Sequence, residues 1–303
     1  MRTTKRFTPD VLDRFRTLGR GTGTHENYVS WHRVSRSDPA SLGRSHLLMW
    51  LKRQRELLSD LEWVGFLFST MLENIEDSRE QYPHSLEFAA HELSLYDAGF
   101  VGTSYPGTIE LARELGIKHP KTSGNGRTES WVMSTDLVLT FRRTNHHRQL
   151  LAVAFKYPDD CKKKRTKELL TLERAYWQAR GAEWLLITPD QFDERVALTL
   201  RNTFGWALGD VVTDRDMEIA ADVVHRWYGS SLTHILRCLT QNLDCEETGC
   251  SDRAQRAFWQ AVWCGRLPLD LRRGWRPHIP IQLLPADAFW SLNPIEARRS
   301  AWI

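Results

Sequence analysis

Between residues 134 and 188 the chain reads strand, strand, helix, strand, and that order constrains its fold more tightly than any other stretch of the sequence. Segments 134–141 and 150–157 are rich in apolar and β-branched residues and are joined by the polar 142–149, the pattern of a hairpin. On the second strand a period of two puts Leu151, Val153 and Phe155 on one face and Ala152, Ala154 and Lys156 on the other. Lys156 is therefore expected to stand apart from the apolar face and to meet Asp136 on the neighbouring strand. A helix over 163–180 follows, stopped by Gly181 in the C′ position. Its apolar arc is Leu169, Leu170, Leu172, Tyr176 and Trp177, and Glu173 projects inside that arc. The apolar run 184–188 reads as a buried strand. Another helix is expected from Ser59, with Ser59 and Glu62 spaced as a capping box ahead of Leu61, Val64, Phe66, Leu67, Phe68, Met71 and Leu72. Helix, hairpin, helix and strand in this order make an α/β core with a central mixed sheet and helices on its faces. Unrelated functions use such cores, so the order alone does not choose among them.

The flanks read differently. Residues 1–57 are rich in Arg, Ser, Gly and Thr, densest at 19–23 and 42–46, and regular structure is expected to be weak there. Such a segment is either a basic arm laid on a phosphate backbone or a leader packed on the core. Residues 84–130 mix an apolar piece with Gly- and Ser-rich loops and carry no assigned chemistry. Beyond Pro189 short helices are expected over 190–207, 214–228, 231–243 and 252–264, then two short strands over 267–271 and 278–283. Three helices and a small hairpin suggest a winged-helix module, with Arg253 and Arg256 on its last helix and Arg272, Arg273 and Arg276 on its wing. The tail from Pro285, with Trp290 and Trp302, is expected to be a flexible, partner-binding peptide. At 303 residues the chain exceeds a typical single core, and a division into 1–189 and 190–303 is expected.

Basic residues number 41 and acidic ones 38, so any affinity for nucleic acid must come from local clusters. No apolar run is of membrane-spanning length and the N-terminus has no apolar signal core, which makes a cytoplasmic, DNA-associated protein the expectation. The 5 cysteines do not read as a disulfide framework. A zinc-binding regulator built from Cys238, Cys245, Cys250 and Cys264 with His225 and His234 lacks the tight cysteine pair of structural sites, and reduced helix cysteines fit better.

Glu62, Asp136 and Lys156 have the residue types of a metal-dependent nuclease: carboxylates to hold a cation that polarises the scissile phosphate, and a positive group near the attacking water. Glu62 has a plainer reading as a helix cap. Glu173, a carboxylate aimed at the sheet, is either paired with a cation there or placed at the metal site.

A series of short segments also resembles one family in its order: Gly19-Arg20-Gly21, Gly43-Arg44-Ser45-His46, Leu57-Leu58-Ser59-Asp60-Leu61-Glu62, Arg79-Glu80-Gln81-Tyr82-Pro83, Gly116-Ile117-Lys118-His119-Pro120, Met133-Ser134-Thr135-Asp136, Leu172-Glu173-Arg174-Ala175-Tyr176-Trp177 and Gly265-Arg266-Leu267-Pro268. The match is to TnsA, the endonuclease subunit of heteromeric cut-and-paste transposons. It covers most of the chain, with 84–115 as an insertion. The resemblance implies a restriction-endonuclease-like domain followed by a winged-helix domain. It implies cleavage at the 5′ ends of a transposon, beside a TnsB-type transposase that cleaves and joins the 3′ ends and a TnsC-type AAA+ ATPase that links both to target selection. Carried over, Glu62 and Asp136 ligate Mg²⁺, with Mn²⁺ able to substitute, Lys156 is the catalytic lysine, and Glu173 is an acid of the site. Arg20, Arg44, His46, Lys118 and His119 are the implied DNA contacts. One position departs: the family's Gln two residues before the lysine is Ala154 here. A methyl group cannot ligate a cation, so the Phe155 carbonyl, Glu173 or water must replace that ligand. The alternative is a weakened or inactive assembly subunit that bridges transposase and ATPase.

Overall fold

The computed structural model describes residues 7–36, 38, 40, 44–100, 102–142, 147–243, 249–273 and 276–302; Leu42, Gly43 and Cys245, singled out above, lie outside them. The chain forms two compact units, Met1–Trp63 with Asn74–Thr188 and Ala301–Ile303, and Val64–Glu73 with Pro189–Ser300. In chain order the first unit carries α1 (Pro9–Thr17), β1 (His46–Trp50), β2 (Arg53–Leu57) and the first turn of α2 (Asp60–Ser69). It continues with β3 (Ile75–Pro83), β4 (Ala89–Ala90), β5 (Ser104–Tyr105), α3 (Thr108–Glu114), β6 (Lys121–Gly124) and β7 (Arg127–Ser130). Its last elements are β8 (Ser134–Arg142), β9 (Arg148–Phe155), α4 (Pro158–Cys161), α5 (Lys164–Ala179) and β10 (Glu183–Ile187). The second unit carries the rest of α2, then α6 (Glu194–Ala207), α7 (Asp214–Arg226), α8 (Leu232–Asn242), α9 (Cys250–Trp263) and α10 (Ala286–Trp290).

The central sheet has the order β10-β9-β8-β3 and is mixed: β10 runs parallel to β9, and the other pairs are antiparallel. The expected hairpin is β8–β9, in register Leu137↔Val153 and Leu139↔Leu151. Both of its faces are covered. Leu151, Val153 and Phe155 are buried as expected, but so are Ala152 and Ala154, which pack with Leu170, Leu172, Tyr176 and Trp177 of α5. Two alanines in a row on that face give the helix room to close onto the sheet.

β3 is the strand that the hydrophobic pattern concealed. Its centre, Asp77-Ser78-Arg79-Glu80-Gln81, is polar yet fully buried. Burial of this kind is tolerated only when every charge is met. Arg53 reaches Glu80 with both terminal nitrogens, at 2.5 and 2.6 Å, and the Arg79 guanidinium lies over the rings of Tyr82 and Tyr96, at 4.3 and 5.3 Å. The N-terminal stretch is likewise more regular than its composition suggested. It forms α1 and the β1–β2 hairpin, whose turn residues Leu51 and Lys52 take φ of 47° and 61°, the left-handed pair that a two-residue hairpin turn requires. Leu12 and Phe15 of α1 pack with Trp31 and Val132. The 84–115 stretch is tied to α5 through Glu92, which accepts from Arg180 Nε at 2.8 Å and from the Tyr176 hydroxyl at 2.5 Å.

In the second unit the four expected helices are present as α6 to α9. The two expected strands are not: among the described residues only isolated bridges form, Leu269↔Leu283 and Ser231↔Pro280. Pro268, Pro277, Pro280 and Pro285 remove the ladder donors that longer strands need. The tail is not a free peptide. Phe289, Asn293 and Ile295 are buried, Asn293 Nδ2 donates to the Phe68 carbonyl at 2.8 Å, and in the first unit Ala301 N–H donates to the Leu186 carbonyl at 2.7 Å. Its apolar residues found intramolecular partners, which a composition-based reading cannot foresee. Cys238 and Cys264 are free, as expected, but Cys250 is disulfide-bonded, against the expectation of reduced cysteines. No helix is long and apolar enough to cross a membrane.

Candidate active site

β8, β9, α2 and α5 bring four side chains to one place in the first unit. Asp136, near the start of β8, directs Oδ2 at two donors: the Phe155 backbone N–H at 2.8 Å and Lys156 Nζ at 3.0 Å. Lys156 follows the last residue of β9. Its backbone N–H continues the parallel pairing by donating to Ile187 O at 3.1 Å, and its ammonium also donates to the Phe155 carbonyl at 2.8 Å. Strand pairing thus fixes the lysine's backbone, and two hydrogen bonds fix its head.

Glu62 sits in the first turn of α2 and caps it, though not in the usual reciprocal way. Ser59 Oγ accepts from Glu62 N–H and returns a hydrogen bond to Oε1, both at 3.1 Å, while Oε2 accepts from the Leu58 N–H at 2.9 Å. The capping and functional readings of Glu62 therefore coexist. Its carboxyl is also drawn into the site: burial and the neighbouring Asp136 carboxylate push it up to about 8.

Glu173 on α5 is buried, and its carboxyl is pushed up to about 7 by burial and by Asp136. Thr135 holds it: the hydroxyl donates to Oε1 at 2.7 Å and accepts from Trp177 Nε1 at 2.7 Å and from His84 Nε2 at 2.8 Å. A hydroxyl has one proton to give and two lone pairs to receive, so this set saturates it and fixes its direction. Burial, with Arg180 nearby, holds the His84 pKa down at about 3, so its ring is neutral, and because the Thr135 proton goes to Glu173 the ring donates here as the Nε2–H tautomer. Trp184 Nε1 makes a further contact to Glu173 Oε1 at 3.3 Å. Lys156 counters the three acids. Burial disfavours its charge, but Asp136, Glu173 and Glu62 outweigh that and hold it protonated.

Three carboxyl groups share one ammonium, and the upward shifts of Glu62 and Glu173 mark ionised forms that a divalent cation would stabilise. Asp136 Oδ1 accepts no hydrogen bond among the described residues, and the Phe155 carbonyl lies beside it. Asp136, Glu62 and that carbonyl are oxygens that could hold such an ion. Among the described residues no three His, Cys, Asp or Glu side chains gather into a metal-holding group, so water would complete the shell, as it does in many Mg²⁺ sites.

Of the expected DNA contacts, Arg44 and His46 reach Asp60 in the first turn of α2, two residues before Glu62, at 3.7 and 2.7 Å, whereas Arg20 and His119 are held by partners of their own. Arg20 is buried, with Nη1 at 2.6 Å from Asp38 and 3.1 Å from the Trp31 carbonyl. His46 also lies over Trp63, and His119 is held by Thr108 at 3.0 Å and the Pro120 carbonyl at 2.9 Å. Arg44 and Lys118 are exposed. The motif reading did not single out Gln81 and Thr135 as site residues. Both lie inside segments quoted above, but neither type is an obvious metal ligand or base.

Residues 73–189 match the family described as TnsA-like endonuclease N terminal. Asp136, Lys156 and Glu173 lie within that segment and Glu62 before it. Over 221 residues, 72% of this chain and 67% of the relative, the sequence is 31% identical to the Transposon Tn7 transposition protein TnsA of Escherichia coli.

Proposed function

Because the chain belongs to the TnsA family of transposition endonucleases, we propose that Glu62, Asp136, Lys156 and Glu173 form a Mg²⁺-dependent nuclease site that hydrolyses phosphodiesters at the 5′ ends of a transposon. The observation that carries this reading is the Asp136–Lys156 pair at the end of the β8–β9 hairpin, 3.0 Å apart, with Glu62 drawn in from α2. Asp136, Glu62 and the Phe155 carbonyl would hold the ion, with Mn²⁺ able to replace Mg²⁺. When bound, it supplies a Lewis acid for the scissile phosphate and a more acidic water. Lys156 orients the attacking water and offsets charge as it develops on the phosphate oxygens. Its three donors allow it to keep Asp136 while turning one hydrogen bond toward the substrate. Glu173, fixed by Thr135, adds negative charge near Lys156 that favours its protonated form.

Ala154 supplies no side-chain oxygen and is buried in the cluster that includes Leu170, Leu172, Tyr176 and Trp177 of α5. Arg44 and Lys118 serve as phosphate contacts in this proposal, while Arg20, His46 and His119 support the backbone around them. A TnsB-type transposase and a TnsC-type ATPase are the proposed partners. We assign the second unit from residue 190 to Ser300 as a winged-helix module on the strength of α7 to α9 and of the bridges Leu269↔Leu283 and Ser231↔Pro280. Its Arg253 and Arg256 are paired with Asp216 and with Asp210 and Asp252, which favours a protein partner for α9 over base readout.

Asp136→Ala tests the site. Its circular dichroism should match the wild type while cleavage of a transposon-end duplex with Mg²⁺ and the cognate transposase drops at least about 100-fold, the loss typical of removing one electrostatic stabiliser. Wild-type rates in this variant sink the assignment.

A further inference from the structure

Among the described residues seven that are not glycine have positive φ: His25, Leu51, Lys52, Asn74, Gln81, Asn125 and Arg298. Six of them lie outside strands, and only Gln81, at φ 52°, lies within one. A left-handed residue inside a ladder is disfavoured for any side chain bearing a Cβ, and it persists only where its surroundings over-determine it. Here they do. The Gln81 carbonyl accepts from the Trp31 N–H at 3.2 Å, and the Tyr28 hydroxyl lies 3.1 Å from the Glu80 carbonyl and 3.4 Å from that of Gln81. The flanking pairs Glu80↔Leu137 and Tyr82↔Thr135 bracket Gln81 and Asp136 on neighbouring strands of the β3–β8 ladder. Its buried amide donates from Nε2 to Glu62 Oε2 at 3.0 Å.

We infer that Gln81 is a positioning residue for the cation site: the strained residue of β3 aims its amide at Glu62 and holds that carboxylate in its ligating orientation. The inference rests on the proposed role of Glu62 as a cation ligand. Without Gln81, Glu62 keeps only donors from its own helix start, Leu58 and Ser59, which tie it to the cap. The amide is its one hydrogen bond from the sheet, so it couples the position of α2 to that of Asp136 on β8. Outer-shell partners of this kind commonly govern cation affinity by about 10- to 100-fold.

The test is titration calorimetry of the full chain with Mn²⁺, comparing wild type, Gln81→Met, Gln81→Gly and Glu62→Ala. It is read beside the Mg²⁺ dependence of end cleavage with the cognate transposase present. Methionine keeps the volume and removes the donor; glycine removes both amide and strain, and so should fold at least as stably. The expected result is Mn²⁺ affinity weaker by about 10-fold or more in both Gln81 variants. The Mg²⁺ concentration for half-maximal cleavage should rise in parallel, with the rate at saturating Mg²⁺ within about twofold of wild type. A merely structural role would instead lower that saturating rate or the melting temperature and leave the affinity unchanged. If Gln81→Met does not fold, Gln81→Gly decides. Binding that is lost in Glu62→Ala but unchanged in the Gln81 variants overturns the inference while sparing the site. Wild-type affinity in Glu62→Ala overturns the reading on which it rests.

Discussion

At the scale of single residues, the site is an electrostatic problem that the protein leaves unsolved on its own. Glu62 titrates near 4.5 when unfolded, but burial and Asp136 hold its folded carboxyl up to about 8. Between those values the folded chain binds more protons than the unfolded one, so this group's stabilisation, complete below 4.5, is lost as the pH rises through 8. Glu173, pushed up to about 7, acts with the same sign. His84, held at about 3 against an ordinary 6.5, pulls the other way below 6.5. The clean window is therefore pH 6.5 to 8. Cation-free protein should show a falling melting temperature across it by calorimetry, and Glu62→Gln should flatten most of the fall. Saturating Mg²⁺ should reverse the trend, because a bound cation favours the ionised carboxylates. A melting temperature that rises with pH in the cation-free protein contradicts this account.

At the scale of elements, what was legible in the sequence followed from periodicity, and what was missed followed from buried polarity. The β8–β9 hairpin, α5 with its Gly181 stop, β10 and the start of α2 at Ser59 all carry local signals that the structure bears out. β3 carries none, because Asp77, Arg79 and Glu80 look like a solvated loop until Arg53 from the β1–β2 hairpin is known to meet Glu80. Gln81 and Thr135 were hidden for the same reason: their partners lie 19 and 38 or more residues away. The Thr135 hub yields a prediction at this scale. Thr135→Val keeps the shape but strands the Trp177 and His84 donors in a buried environment, at roughly 1–3 kcal/mol for each unmet group. The urea midpoint should fall accordingly with an unchanged slope. A variant as stable as wild type shows that the hub is not structural.

At the scale of the whole molecule, the first unit gathers four distant segments, from α2, β8, β9 and α5, into one cluster, which is why three short motifs pointed to chemistry before any fold was visible. The sequence could not show that the tail folds back as ordered structure, nor that Arg253, Arg256, Arg266 and Arg272 of the second unit are paired with acids of that unit. Both depend on which partners the chain meets after folding. The claim that unites these observations is that the cluster cuts DNA in spite of Ala154. It is tested most directly on a transposon-end duplex labelled separately on each strand, with the cognate TnsB-type and TnsC-type proteins, target DNA and Mg²⁺, comparing this protein with Lys156→Ala. The account predicts 5′-strand cleavage that disappears in the variant while the transposase's 3′ cleavage continues. An intact 5′ strand beside normal 3′ cleavage with the unaltered protein would contradict it and leave an assembly subunit in place of a nuclease.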